Sequence, residues 1–164
     1  MNHLAYVVAE ESPYGHPEEG LDLAVTPGYQ LFFSCFMGDI DFLVDGEDFR
    51  TRFGWVSTLS FALAMLRHLQ ELPETGQSRV EFQEDEEWIL LEEKAGDVRI
   101  SCSYADGRAV IRYPDLRFLA REALVSLLDE LYGKHPRLAL NPSLNKALLK
   151  IGELGRFRRF ENPE

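Results

Sequence analysis

Cysteine is nearly absent: Cys35 and Cys102 are the only two in 164 residues. Two isolated thiols within apolar, strand-like segments exclude a disulfide framework and read as reduced, buried side chains. Histidine is scarce as well. His3, His16, His68 and His135 fall on four different expected elements, and none has a second ligand at a metal-site spacing such as i+4 on one helix. The glycines are dispersed as turn formers, so no phosphate-cradling loop is present. Ser34, Ser57, Ser60, Ser101 and Ser103 lack a nucleophile-elbow context. No apolar run approaches the roughly 20 residues that cross a bilayer, and Met1 to Glu10 lacks the basic start of a signal peptide. These absences point to a cytoplasmic protein with no membrane segment, no metal, no cofactor and no catalytic residue.

Apolar residues are plentiful: 45% of the chain is hydrophobic, with 11 Phe, 6 Tyr and 2 Trp. A chain of this length buries roughly 70% of its unfolded surface, so one domain over residues 1–164 needs no covalent staple. Charge is the other abundant feature. The net value is −11, and it is unevenly placed: residues 1–133 hold 10 Lys/Arg against 25 Asp/Glu, and residues 134–164 hold 7 against 3. Most of this surface repels phosphates, so no nucleic-acid partner is expected. A basic protein partner suits it, through long-range steering.

The pattern predicts a strand over His3 to Ala9, then a solvated loop over Glu10 to Gly20. Tyr29 to Phe36 reads as a buried strand, joined through a Gly38-Asp39 turn to a hairpin partner over Ile40 to Val44. From Phe53 to Leu72 the period becomes 3.6. Trp55, Leu59, Ala62, Leu63, Leu66 and Leu69 share one helical face, and Pro73-Glu74-Thr75-Gly76 ends it. Four short strands follow over residues 79–83, 88–93, 98–104 and 108–113, with hairpin turns at Ala95-Gly96-Asp97 and Ala105-Asp106-Gly107. Asp115 to Tyr132 is a helix stopped by Gly133. Asn141-Pro142 caps a last helix reaching Leu154, and residues 156–164 form a frayed tail. The order β-ββ-α-ββββ-αα implies an α+β fold: an antiparallel sheet of six to seven strands with helices packed against it.

Eight acids fall within Glu81 to Asp97, opposed only by Lys94. Glu84, Asp85, Glu86, Glu87 and Glu92 make a candidate docking surface, with Trp88 or Tyr104 as an anchor surrounded by charge. Asp45 and Asp48 in the Asp45-Gly46-Glu47-Asp48 turn are candidates for the same partner. A calcium loop is excluded there, because Phe42-Leu43-Val44 occupy ligand positions. The same acids also read as a solvated charge run that serves solubility. Arg156-Phe157-Arg158-Arg159-Phe160 interleaves basic and aromatic residues and suits either RNA or the protein's own acidic face.

The segment Glu81 to Tyr113 and the helix after it, together with the overall charge, resemble small acidic immunity proteins of bacterial toxin–immunity systems. The resemblance implies stoichiometric inhibition of a basic toxin such as a nuclease, by occlusion of its cleft. Two other readings stay open: a scaffold or regulatory subunit, self-associating or not, that binds through an apolar surface, and a small-molecule binder with a pocket between sheet and helices.

Overall fold

The computed structural model describes residues 1–83 and 85–153. Among them the fold is α+β, but its strands divide between two four-stranded antiparallel sheets instead of one. The first sheet is built on β2 (Met37–Val44), which pairs with β1 (His3–Val8) along its length. Along the other edge of β2 lie β3 (Glu47–Asp48) at one end and β4 (Val56–Ser57) at the other. The second sheet is the expected meander: β5 (Gln77–Glu81), β6 (Trp88–Lys94), β7 (Asp97–Cys102) and β8 (Ala109–Arg112), each paired with the next. Alternation places Val80, Ile89, Leu91, Val98, Ile100 and Ile111 on its buried face.

Two helices cover both sheets. Helix α2 (Thr58–Thr75) contacts β1, β2 and β4 as well as β5 and β6. Helix α3 (Tyr113–Lys134) contacts α2, β1, β7 and β8. The α2 stripe expected from Leu59, Ala62, Leu63, Leu66 and Leu69 is buried, and Phe61, Met65 and Leu72 widen it as a helix enclosed on several sides requires. Pro73 does not end α2. A proline there withholds the N–H that would reach the carbonyl of Leu69, and the Tyr113 hydroxyl donates to that carbonyl instead, at 2.6 Å. The helix runs to Thr75 and stops at Gly76, whose N–H returns to Leu72.

Six expectations fail locally. Tyr29 to Phe36 is not a strand: Gly28–Ser34 form a short helix, α1, with Pro27 at its N-cap. Its apolar run carries no period of its own, and tertiary packing of Leu31, Cys35 and Phe36 chooses the helix. Gly38-Asp39 consequently lies inside β2, not in a turn. Residues 53–57 are not helical, for a reason given below. Gly133 is passed over, since α3 reaches Lys134 and the capping N–H is that of His135. The last helix, α4 (Pro142–Lys150), is shorter than expected, and Leu154 and residues 156–164 lie outside the described residues. The loop over Glu10 to Gly20 is also not wholly solvated. It closes on a 3-10 turn at Pro17–Gly20 that buries Glu18.

The Asn141 cap forms as expected, accepting from the N–H groups of Ser143 and Leu144. Its amide nitrogen also donates to the carbonyls of Leu23 at 2.7 Å and Thr26 at 2.9 Å. One fully buried side chain therefore ties α4 to the segment before α1.

No described helix is long and apolar enough to cross a membrane. Both cysteines are free and buried, and burial pushes the Cys35 thiol up to about 12. Thiol labelling of the native protein is expected to proceed only at the rate of unfolding; fast labelling with Ellman's reagent in the absence of denaturant would contradict this burial. Gly38 sits where β1, β2 and β4 converge, and a Cβ there would stand 1.9 Å from the carbonyl oxygen of Val7. Backbone cannot yield that far, so Gly38→Ala is expected to destabilise by about 3 kcal/mol or more. The check is the urea midpoint followed by circular dichroism.

Candidate functional site

The two sheets meet at a cluster of aromatic rings. Phe53 stacks on Trp55 with ring centres 4.7 Å apart, and Phe82 stacks on Phe61 at 4.8 Å. Edge-to-face contacts at 5.6 to 6.1 Å join Phe53 to Tyr104, Phe53 to Phe82 and Phe82 to Tyr104. Phe61 and Phe82 are buried, whereas Phe53, Trp55 and Tyr104 remain partly open to solvent. The result is an aromatic pad with a covered base and an accessible top. Each favourably placed pair adds about 1 kcal/mol beyond its buried area, so the pad is stiff.

Asp39 holds this pad in place. Its carboxylate accepts from the Thr51 hydroxyl at 2.8 Å, from the N–H of Phe53 at 2.7 Å and from the N–H of Gly54 at 3.1 Å. Thr51 Oγ1 also accepts from the N–H of Ile40. Residues 53 and 54 thus give their amides to a side chain of β2, which is why the helical stripe expected to start near Trp55 begins only at Thr58. Gly54, at φ +74°, supplies a left-handed turn between the two stacked rings. A glycine between two aromatics inside a helical pattern is the signal that exposes the break.

The acids distribute unequally around the pad. The Glu87 carboxylate accepts a short hydrogen bond from Ser103 Oγ, which in turn accepts from the N–H of Trp88. Tyr104 follows directly, and its hydroxyl donates to the carbonyl of Phe49 at 2.7 Å, linking the second sheet to the first. Burial raises the Tyr104 phenol strongly, and the charges of Cys102, Glu87 and Asp48 raise it further. Asp85 and Glu86 are exposed in the turn before β6, and Asp45 is exposed in the β2–β3 turn. Asp48 is committed locally: Arg50 grips it through two bonds of 2.9 and 2.7 Å and lowers its carboxyl to about 2.

Trp88 and Glu92 lie elsewhere. Both occupy the solvent face of the second sheet, where the Arg79 guanidinium sits 4.5 Å above the Trp88 ring and Glu92 pairs in register with Arg99. Arg79, Arg99 and Arg112 make that face mixed in charge, and Trp88 is already covered by a cation. Glu84 lies outside the described residues. The structure thus ties Glu87 to Ser103, next to Tyr104, leaves Asp85 and Glu86 exposed in the adjoining turn, keeps Trp88 and Glu92 on the other face, and adds Phe53, Trp55 and Asp39.

No group of three or more His, Cys, Asp or Glu side chains among the described residues is placed to hold a metal ion. No family model, curated protein or solved structure matches this chain.

Asp39→Ala removes the acceptor for three donors and leaves two backbone amides unpaired at the pad. A loss of about 2 kcal/mol is expected, with a red-shifted Trp55 emission in a Trp88→Phe background. Unchanged emission would show that the ring stack, not Asp39, holds the loop.

Proposed function

We propose that this chain is a non-catalytic binding protein that takes a basic protein partner on the surface formed by the aromatic pad and the Asp85–Glu87 turn. The observation that carries the reading is the hydrogen bond by which Ser103, one residue before Tyr104, fixes the Glu87 carboxylate. The Tyr104 ring packs edge-on against Phe53 of the partly open Phe53–Trp55 stack. A Lys or Arg side chain laid on those rings gains about 1 to 2 kcal/mol from their faces once desolvated. The same cation is met by Glu87, whose orientation Ser103 has already set, while Asp85 and Glu86 attract it from a distance. A rigid aromatic anchor with a carboxylate rim has the make-up of an interface hot spot.

In the reading that the acidic composition favours, the partner is a toxin whose basic cleft is built for phosphates, and the chain is its immunity protein. The acids stand in for the phosphates, and inhibition is one to one. Recognition led by charge predicts fast, salt-sensitive association.

The test is capture by the tagged full chain from a lysate of its source, at low salt and then high salt, beside a Asp85→Lys/Glu86→Lys variant. Both residues are exposed, so the variant keeps the fold. One basic protein should be retained near equimolar ratio, elute with salt and associate at least about tenfold more slowly with the variant. Retention unaffected by the charge reversal, or an acidic partner, would overturn the reading.

A further inference from the structure

Helices α2 and α4 turn stripes of identical spacing toward one groove. On α2 the stripe is Ser60, Leu63, Ala64 and Arg67; on α4 it is Ser143, Lys146, Ala147 and Lys150. Each follows the i, i+3, i+4, i+7 interval that lays one face along a helix. The groove between them is open to solvent and has a volume of about 470 Å³. At one end α1 closes it: a Cβ added to Gly28 would stand 3.0 Å from Ser143 Oγ, so the two helices touch there. Phe32 and Phe33 continue the apolar wall, and Phe33 is 49% exposed.

The rims carry a single sign. Arg67 stands on one wall, Lys146 and Lys150 on the other, and no described carboxylate lines the groove. None of the three cations makes an ion pair among the described residues. In a chain of net charge −11 this is a local reversal of charge. Beyond Ile151 a second cleft continues with Arg117 and the exposed ring of Phe118.

We infer that this groove seats an amphipathic helix of a partner protein, one whose apolar stripe is bordered on both sides by Asp or Glu. Two helical stripes with Ala64 and Ala147 at their centres offer the close approach that a third helix needs. The apolar floor takes the stripe of the incoming helix, and cations on both walls meet the carboxylates beside it. A nucleic acid fits less well, because the side chains of Leu63, Ala64 and Ala147 between the cations offer phosphates no hydrogen-bond donor. The chain's own last segment borders its Phe157 and Phe160 with Arg156, Arg158 and Arg159, cations where these rims call for carboxylates, and its two acids, Glu161 and Glu164, come only after them. The inference does not rest on the acidic surface described above.

The test pans a displayed library of random peptides about 16 residues long, some four helical turns, against the full chain and a Lys146→Glu/Lys150→Glu variant. Both lysines are exposed, and circular dichroism is the check that the variant keeps its fold. Enriched peptides should place Leu, Phe or Trp at helical spacing beside Asp and Glu, and a synthetic copy should bind the variant at least about tenfold more weakly. Acidic peptides that bind both proteins equally, or no enrichment at all, would overturn the inference. So would basic peptides as the sole class; if those are lost on Asp85→Lys/Glu86→Lys, the acidic surface stands while the groove falls. Two further measurements compare the native chain with the lysine variant: binding of a labelled single-stranded oligonucleotide and sedimentation. Oligonucleotide binding abolished by the two lysine changes would reassign the groove to nucleic acid, and self-association abolished by them would reassign it to a second copy.

Discussion

Helix α2 is wedged between two sheets and a second long helix, and the placement of nearly every other element follows from that enclosure. A helix buried on this many sides needs its polar groups satisfied from outside itself. At its start the Thr58 hydroxyl donates to the carbonyl of Phe36, and near its end Tyr113 takes the carbonyl that Pro73 leaves open. Each of these contacts joins the helix to a different part of the chain. The first places α1 and the start of β2; the second places α3. Removal of either leaves a buried acceptor unpaired, a penalty of about 1 to 3 kcal/mol, so the enclosure is self-reinforcing.

The same enclosure decides which surface stays open to solvent. With the inner faces of both sheets covered by α2 and α3, the junction between the sheets becomes the place where aromatic rings reach solvent. Phe82 stacks on Phe61 of α2, and Phe53, Trp55 and Tyr104 meet it edge to face on the outer side. On the far side of Gln83 and Ser60, joined by a 2.6 Å hydrogen bond, the surface changes character and the cation-rimmed groove begins. Adjacent surfaces of opposite sign impose an orientation on whatever docks across them, because reversal of the partner sets like charges against each other.

Much of the fold was legible in the sequence because its signals are local. The meander from β5 to β8 alternates cleanly, its two-residue turn at Ala95-Gly96 needs positive φ, and Asn141-Pro142 caps α4 through its own neighbours. The failures share one cause. Tyr29 to Phe36 and Phe53 to Trp55 are aromatic runs with no decisive period, so distant partners chose their conformation. For residues 53 and 54 that partner is Asp39, which lies far back in the chain and reads in sequence as one more acid of a turn. The aromatic pad escaped notice for the same reason: Phe53 and Trp55, Phe82, and Tyr104 belong to three stretches that no local rule connects.

By itself the sequence determined the α+β class, the strand–helix rhythm, the absence of covalent staples and the excess of negative charge, all properties carried by composition or by neighbours a few positions apart. Only the tertiary structure decided how that charge is divided. It set Trp88 beneath Arg79, matched Asp48 with Arg50, bound Glu87 to Ser103 while leaving Asp85 and Glu86 exposed, and gathered Arg67, Lys146 and Lys150 around one groove. The reason is that packing of the apolar faces brings distant side chains together, and a charge acts according to its neighbours in space.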